Sequence, residues 1–144
     1  MAQIDICLAD YADAAHREAL IFLLDAYARD PAGGGTPLSE FVRRHLVDEL
    51  ARRPYAFSVL AFDGAQPVGL TNCFEGFSTF ASRPLVNVHD VVVLQSHRGR
   101  RIAPLMLAKV EEVARGRGAC KLTLEVLGGK TSAIRSFERQ GFAG

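Results

Sequence analysis

The sequence predicts an α+β domain built on one mixed, twisted β-sheet flanked by helices, and three observations carry that expectation. The elements run strand, two helices, three strands, helix, strand, helix, which is not the strict alternation of a doubly wound sheet. Residues 85–94 form a long strand with a continuous apolar end, as expected at a sheet centre. The stretch VHDVVVLQSHRGRRIA, residues 88–103, passes from that strand through a short basic turn into a helix.

Residues 4–8 alternate enough for a short strand. In 14–29, Ala15, Ala19, Phe22, Leu23 and Ala26 recur at helical spacing, and Pro31 stops the helix. Gly33, Gly34 and Gly35 form a connection. Thr36-Pro37 reads as the N-cap and first residue of a second helix, continued by Phe41, Val42, Leu46 and Leu50 up to Pro54. Residues 55–62 are a strand, Asp63-Gly64 a turn, and 68–74 a further strand bending toward Phe80. Arg83-Pro84 breaks the chain before the strand 85–94. A helix over 102–115 ends at Gly116 and Gly118. A strand over 121–127 and a helix over 131–140, closed by Gly141, complete the series. Phe74, Phe77 and Phe80 are most simply core residues.

The 144 residues fit one domain, 1–144, with no repeat, linker or low-complexity tract. A net charge of +1 gives the surface no general claim on nucleic acid or an acidic membrane. The N-terminus, MAQIDICLAD, lacks the basic region of a signal peptide, and no apolar run approaches the ~20 residues of a membrane helix. A cytoplasmic protein is the expectation. Cys7, Cys73 and Cys120 are widely spaced and fit no metal-ligand pattern, so they read as buried free thiols, and no metal is expected.

The basic turn is the first candidate site. Arg98, Gly99, Arg100 and Arg101 fall where a helix begins, so free backbone N–H groups and the positive end of the helix dipole gather there. The arginines add fork-shaped donors that match phosphate oxygens. By itself the turn fits a phosphate site and a solvated basic loop equally well. Pro104 suits the first turn of the following helix. Gly128-Gly129-Lys130-Thr131 invites comparison with a nucleotide-binding loop, but the first glycine of such a loop would fall at Leu124, inside a strand. Thr131 is better read as a helix N-cap.

His89 and Asp90 are titratable groups in an otherwise apolar strand. An unpaired buried carboxylate costs several kcal/mol. Strand alternation puts the two on opposite faces unless a bulge intervenes. Glu75, in NCFEGFSTF, and Glu125 are further acids whose simplest reading is surface. His16 and His45 read as surface or packing residues, and His97 as a loop residue.

The two most informative segments are Arg98-Gly99-Arg100-Arg101-Ile102-Ala103 and 133–142, AIRSFERQGF. The first resembles the Q/R-x-x-G-x-G/A signature of the GNAT acetyltransferase superfamily, the second that family's A-x-x-x-Y-E-x-x-G-F close. The pair of helices after the first strand also matches, and the resemblance covers essentially the whole chain. Three positions depart from the pattern. Arg101 stands where the family has glycine, and could hinder close approach or add a phosphate contact; the second is favoured. Lys130 stands for an asparagine. Phe137 stands for the tyrosine whose hydroxyl often protonates the departing thiolate. Family members usually continue past G-F with one or two more strands, so the sheet is expected to lack its C-terminal strands. It would then expose an edge at 121–127 that a homodimer could cover.

The resemblance implies transfer of an acetyl group from acetyl-CoA to a primary amine by direct attack. Pyrophosphate would sit on Arg98, Gly99, Arg100, Arg101, Ile102 and Ala103. The pantetheine arm would pair with Val91, Val92 and Val93 like an added strand, and Phe137 would lie near the sulfur. Asp90 or His89, with Glu75 next in line, would take the amine proton. A phenylalanine-rich strand before an acidic one faintly resembles polyamine acetyltransferases. A non-catalytic acyl-CoA-binding or sensing domain is the alternative that Arg101, Lys130 and Phe137 keep open.

Overall fold

The computed structural model describes residues 3–126 and 130–136. The elements are β1 (Ile4–Leu8), α1 (Ala14–Arg29), α2 (Glu40–Ala51), β2 (Ala56–Asp63), β3 (Gln66–Ser78), β4 (Arg83–Val93), α3 (Ile102–Gly116), β5 (Lys121–Val126) and β6 (Lys130–Ser136), with short 3-10 turns at Pro31–Gly33 and Gln95–His97. The strands lie in one sheet in sequence order. Every neighbouring pair is antiparallel except β4 and β5, which α3 joins as a crossover and which run parallel. The mixed sheet and, as far as β5, the order of elements are as the sequence predicts.

Strand alternation divides the core in two. Phe57, Val59, Ala61, Val68, Val86 and Val88 meet α3 on one face. Leu60, Leu70 and Val92 meet Leu20, Leu23, Val47 and Leu50 of α1 and α2 on the other. In α3 the buried residues Ile102, Met106, Val110 and Ala114 recur every fourth position, a single apolar stripe. That stripe approaches the sheet most closely at Gly69, where an added Cβ would lie 2.9 Å from Met106 Sδ and 3.1 Å from Ile102 Cγ2. Gly69 pairs with Val93, so the absence of a side chain there lets the start of α3 settle beside the end of β4.

Local chemistry sets the helix starts. Asp13 caps α1, accepting the His16 N–H at 3.0 Å. Ser39, rather than Thr36, caps α2, accepting the Val42 N–H at 3.2 Å. The later start follows from Asp25, whose carboxylate accepts the Leu38 N–H at 3.0 Å and holds the connecting segment extended.

Three other expectations need correction. Residues 130–136 form strand β6, antiparallel to β5, where the sequence predicted a helix over 131–140. A Gly-Gly pair between two short runs suits a tight hairpin connection as well as a helix start, and residues 137–140 lie outside the described ones. Thr131 is accordingly no helix N-cap. The β5 edge expected to be open is paired, because β6 covers it. Phe77 and Phe80 are 59% and 103% exposed. The β3–β4 pairing runs on to Ser78 and Arg83, past the residues that pack in either core cluster. Phe74 packs against the second cluster as expected. Phe22 and Phe41 sit at helical spacing but point largely to solvent.

Candidate active site

The parting of β4 from β5 makes the site. The two strands pair only from Val86 to Val88, against Leu122 to Leu124, with Asn87 Nδ2 donating to Thr123 Oγ1 at 2.9 Å. Beyond Val88, β4 keeps β3 on one side and, among the described residues, has no paired strand on the other. A cleft of about 440 Å³ opens there, lined by Val91, Val92, Val93, Leu94, Gln95 and Arg98, with Ala26, Tyr27 and Asp30 of the α1 end opposite. The Leu94 N–H donates toward β3, to Val68 O at 3.0 Å, whereas Val93 O accepts from Arg98 Nε at 3.2 Å on the other side. Alternation along the strand turns the peptide groups of Val91 and Val93 into the cleft and those of Val92 toward β3. The Val92 side chain belongs to the core. The three valines expected to act alike therefore divide, with Val91 and Val93 offering hydrogen bonds and Val92 holding the strand down.

The cleft leads to the basic turn. Gly99 and Arg101 both have left-handed backbones, at φ 81° and 63°. That pair of left-handed residues turns the chain out of the 3-10 segment and into α3. It explains why the family pattern has glycine at the position of Arg101, where any larger residue carries backbone strain. Among the described residues, the N–H groups of Gly99, Arg100 and Arg101 have no acceptor, and the first-turn N–H groups of Ile102 and Ala103 lack intrahelical partners as at any helix start. Arg101 makes no side-chain cap bond. Ile102 is fully buried, so it can offer only its backbone. Arg98 Nη2 is 3.9 Å from Asp30, and Arg100 Nη1 is 3.9 Å from Asp63, both loose, solvent-facing pairs. His97 is more than a loop residue. Its Nε2 meets Asp63 Oδ2 at 2.9 Å and its Nδ1 meets Ser96 Oγ at 2.8 Å, which ties the turn to the end of β2.

A β-bulge brings His89 and Asp90 together. Asn72 pairs with Asp90 and Cys73 with Val88, which leaves His89 as the extra residue on β4. The exposed His89 ring lies edge-on to Phe74 at 5.5 Å, and Phe74 packs with the α1–α2 cluster. Asp90, in line with Asn72, faces the same side. The bulge thus removes the alternation that would have kept them apart. Glu75 does not join them. It pairs with Val86 on the α3 side, and its Oε1 is 3.1 Å from Arg117 Nη1, while Arg117 also stacks on Phe57. Glu75, expected next in line as a base, thus lies apart from His89 and Asp90 and is tied to Arg117.

Sequence reasoning missed the residues behind Asp90. Ser58, Asn72 and Asp90 stand in register across β2, β3 and β4. Tyr11 Oη meets Ser58 Oγ at 2.7 Å, Ser58 Oγ donates to Asn72 Oδ1 at 2.6 Å, and Asn72 Nδ2 donates to Asp90 Oδ2 at 3.1 Å. A polar residue inside each of two apolar strands, in AFSVLAF and VGLTNCF, was the available signal. The thiols take no part. Cys73 and Cys120 are buried, Cys7 partly so, and burial pushes Cys73 up to about 12. Phe137 lies outside the described residues. Among those described, no helix is long and apolar enough to cross a membrane, and no group of three or more His, Cys, Asp or Glu residues gathers as a metal site would.

A mixed sheet split between its central parallel strands, with a helix start at the mouth of the split, is the architecture of an acyl-CoA-dependent transferase. The model of the acetyltransferase (GNAT) family matches residues 19–142, and the chain belongs to that family. Streptothricin acetyltransferase of Streptomyces lavendulae is 34% identical over 70 residues, which span 49% of this chain and 37% of that protein. Two solved structures share the fold. Ribosomal-protein-alanine N-acetyltransferase from Brucella melitensis biovar Abortus 2308 is 22% identical with a TM-score of 0.68, over 88% of this chain and 82% of its own. An aminoglycoside acetyltransferase from an uncultured soil metagenomic sample is 21% identical with a TM-score of 0.65, over 88% and 81%.

Proposed function

We propose that the chain transfers an acetyl group from acetyl-CoA to the primary amine of a small cationic acceptor. The observation that carries the proposal is the open side of β4, where Val91 and Val93 face a cleft that reaches Arg98, the first residue of the turn whose backbone N–H groups lie bare from Gly99 to Ala103. These residues fit acetyl-CoA as a ligand. Peptide groups on an unpaired strand side can pair with the amides of a pantetheine arm. A helix start with three arginines suits a pyrophosphate. When bound, acetyl-CoA supplies an activated acyl thioester.

The chain's own groups supply the rest. An amine is protonated at neutral pH and cannot attack until it loses a proton, so a base must stand near the acyl carbon. Asp90 is the first candidate and His89 the second, because the bulge turns both toward the α1–α2 side of β4. The N–H of Val91 can stabilise negative charge developing on an oxygen in the cleft. Phe137, in place of a tyrosine, has no hydroxyl to return a proton to a thiolate, so that proton comes from water, from the amine or from a residue that follows Gly144.

The acceptor class rests on charge and on the relatives. Asp90 and Asp30 put carboxylates on or beside the cleft, which favours a cation. Relatives named for streptothricin and for aminoglycosides acetylate amine-bearing small molecules, and a polyamine shares that chemistry.

The test follows release of the CoA thiol from acetyl-CoA over a panel of polyamines, aminoglycosides and streptothricin, alongside binding of CoA by calorimetry. Turnover of one class supports the enzyme. Binding without turnover supports the sensing domain instead. Asp90→Asn and His89→Gln are then compared for kcat/KM against pH, and retention of the wild-type profile by both would remove the base from this strand.

A further inference from the structure

Resting on that reading of Asp90, we infer that Asn72 is a positioning residue that aims the Asp90 carboxylate, and that Ser58 and Tyr11 hold it in the required orientation. The hydrogen-bond directions follow from chemistry. An ionised carboxylate only accepts, so the Asn72 amide must present its N–H₂ to Asp90, as it does at 3.1 Å. Its oxygen then faces Ser58, which must donate, at 2.6 Å. With its single proton so used, Ser58 must accept from Tyr11, at 2.7 Å. Three donations run one way, from the phenol to the carboxylate. Each step fixes the next, and no amide flip is compatible with the chain.

The surroundings fit this role. Ser58 is fully buried and Asn72 is 3% exposed, so both polar groups would be costly without their partners. Burial pushes the Tyr11 phenol up, keeping it a proton donor at neutral pH. The segment that carries Tyr11 is itself held at three points. The Asp10 carboxylate accepts the Ala12 N–H at 2.9 Å, Arg17 donates to Tyr11 O at 2.8 Å, and the Ala9 N–H bonds Ser58 O at 2.8 Å. At the far end, one carboxylate oxygen of Asp90 is committed to Asn72. The other is left to meet the acceptor's ammonium at a set angle, on the strand whose bulge opens the site.

The test uses the full chain, acetyl-CoA and whichever amine of the panel is turned over. Asn72→Ala should lower kcat about tenfold while the KM for acetyl-CoA stays put. Ser58→Ala, a near-isosteric change in a buried strand, should lower it severalfold with the fold intact. Neither change should cost anything further in an Asp90→Asn background, because the group being aimed is gone. Losses that multiply with Asp90→Asn, or that appear in the acetyl-CoA KM rather than in kcat, would mean a merely structural role and overturn the inference. If Asp90→Asn is as active as wild type, the base reading itself falls, and the inference with it. If Asp90→Asn is impaired and the other two variants are not, only the inference falls. An independent readout needs no substrate. The Asn72 side-chain amide signals in nitrogen-proton NMR should shift in Asp90→Ala and stay in place in His89→Gln; the reverse pattern would refute the pairing.

Discussion

Filling Gly69 should weaken acetyl-CoA binding without touching the cleft. Gly69 lies under the first turn of α3 and opposite Val93, so the phosphate turn and the open end of β4 are set at one contact. An added Cβ would meet Met106 Sδ at 2.9 Å, Met106 Cε at 3.0 Å and Ile102 Cγ2 at 3.1 Å. The end of a methionine can swing aside. A β-branched isoleucine in a helix has one strongly preferred rotamer, so the turn carrying Ile102 must itself lift by a few tenths of an ångström. For Gly69→Ala, overpacking of about 1 kcal/mol is largely offset by the entropy the unfolded chain no longer has to lose, and Tm should hardly move. Gly69→Val adds two methyl groups at the same point. Its overpacking of about 3 kcal/mol exceeds a strand-propensity gain of about 1 kcal/mol, which leaves a Tm lower by roughly 6–8 °C. Calorimetric titration with acetyl-CoA should show a severalfold weaker Kd for the valine variant. A Gly69→Val protein with wild-type Tm and Kd would show that α3 is not seated by this contact.

Other substitutions test the site and its frame. Arg98→Ala with Arg100→Ala should weaken acetyl-CoA binding by about tenfold per arginine and flatten its salt dependence, read by titration at two ionic strengths. Arg101→Gly relieves a left-handed strain of about 1 kcal/mol but loosens the unfolded chain by nearly as much. Tm should therefore stay put, whereas Arg101→Val should melt several degrees lower; a drop in acetyl-CoA affinity for Arg101→Gly at unchanged Tm would identify a phosphate contact. Burial by itself would raise Asp25, but hydrogen bonds from Arg29 and the Leu38 N–H, with the charges of Arg29 and Arg43, hold it below its ordinary 3.8. Its contribution to stability is thus present above pH ~4 and lost as pH falls through the lowered value. Asp25→Asn should melt below wild type at pH 7, with the gap closing below pH 4.

What the sequence made legible was whatever depends on short-range pattern. The α1 span, the apolar strand 85–94 and the strand–turn–helix at Arg98 to Ala103 follow from periodicity and from glycine and proline placement. The cap of α2 was misplaced because Ser39 wins over Thr36 only through a long-range bond, Asp25 to Leu38. The exposure of Phe77 and Phe80 depends on how far a hairpin outruns the helices that cover the sheet, which hydrophobicity does not encode. Glu75 looked available until Arg117, forty-two positions on, was placed beside it. The line from Tyr11 to Asp90 joins four segments of the chain, and its register across β2, β3 and β4 is fixed only when the sheet forms. His89 and Asp90 stand out as a pair in the sequence, yet whether they share a face turns on one bulged residue.

That residue also explains why catalytic groups and a cofactor cleft can occupy one strand. A regular β4 flanked by β3 and β5 along its length would have both sides of its backbone paired and its polar side chains sorted strictly between two buried faces. Above Val88 the bulge breaks the alternation, and at the same point the parallel pairing with β5 stops. Val93 O already accepts from Arg98 Nε, but the Val91 peptide groups and the Val93 N–H, which β3 does not pair, would cost about 1–3 kcal/mol each if sealed in the core. Both residues are only partly buried and border an open cleft, so water can satisfy them until a ligand takes its place. The apolar side chain of Val92, on the opposite alternation, keeps the strand anchored to α1 while its neighbours face the cleft. Exchange of water for ligand amides is nearly balanced in hydrogen bonds. Affinity should then come chiefly from the charged turn at the far end of the cleft. Loss of the arginines there should accordingly weaken binding far more than any change of side chain at Val91 or Val93.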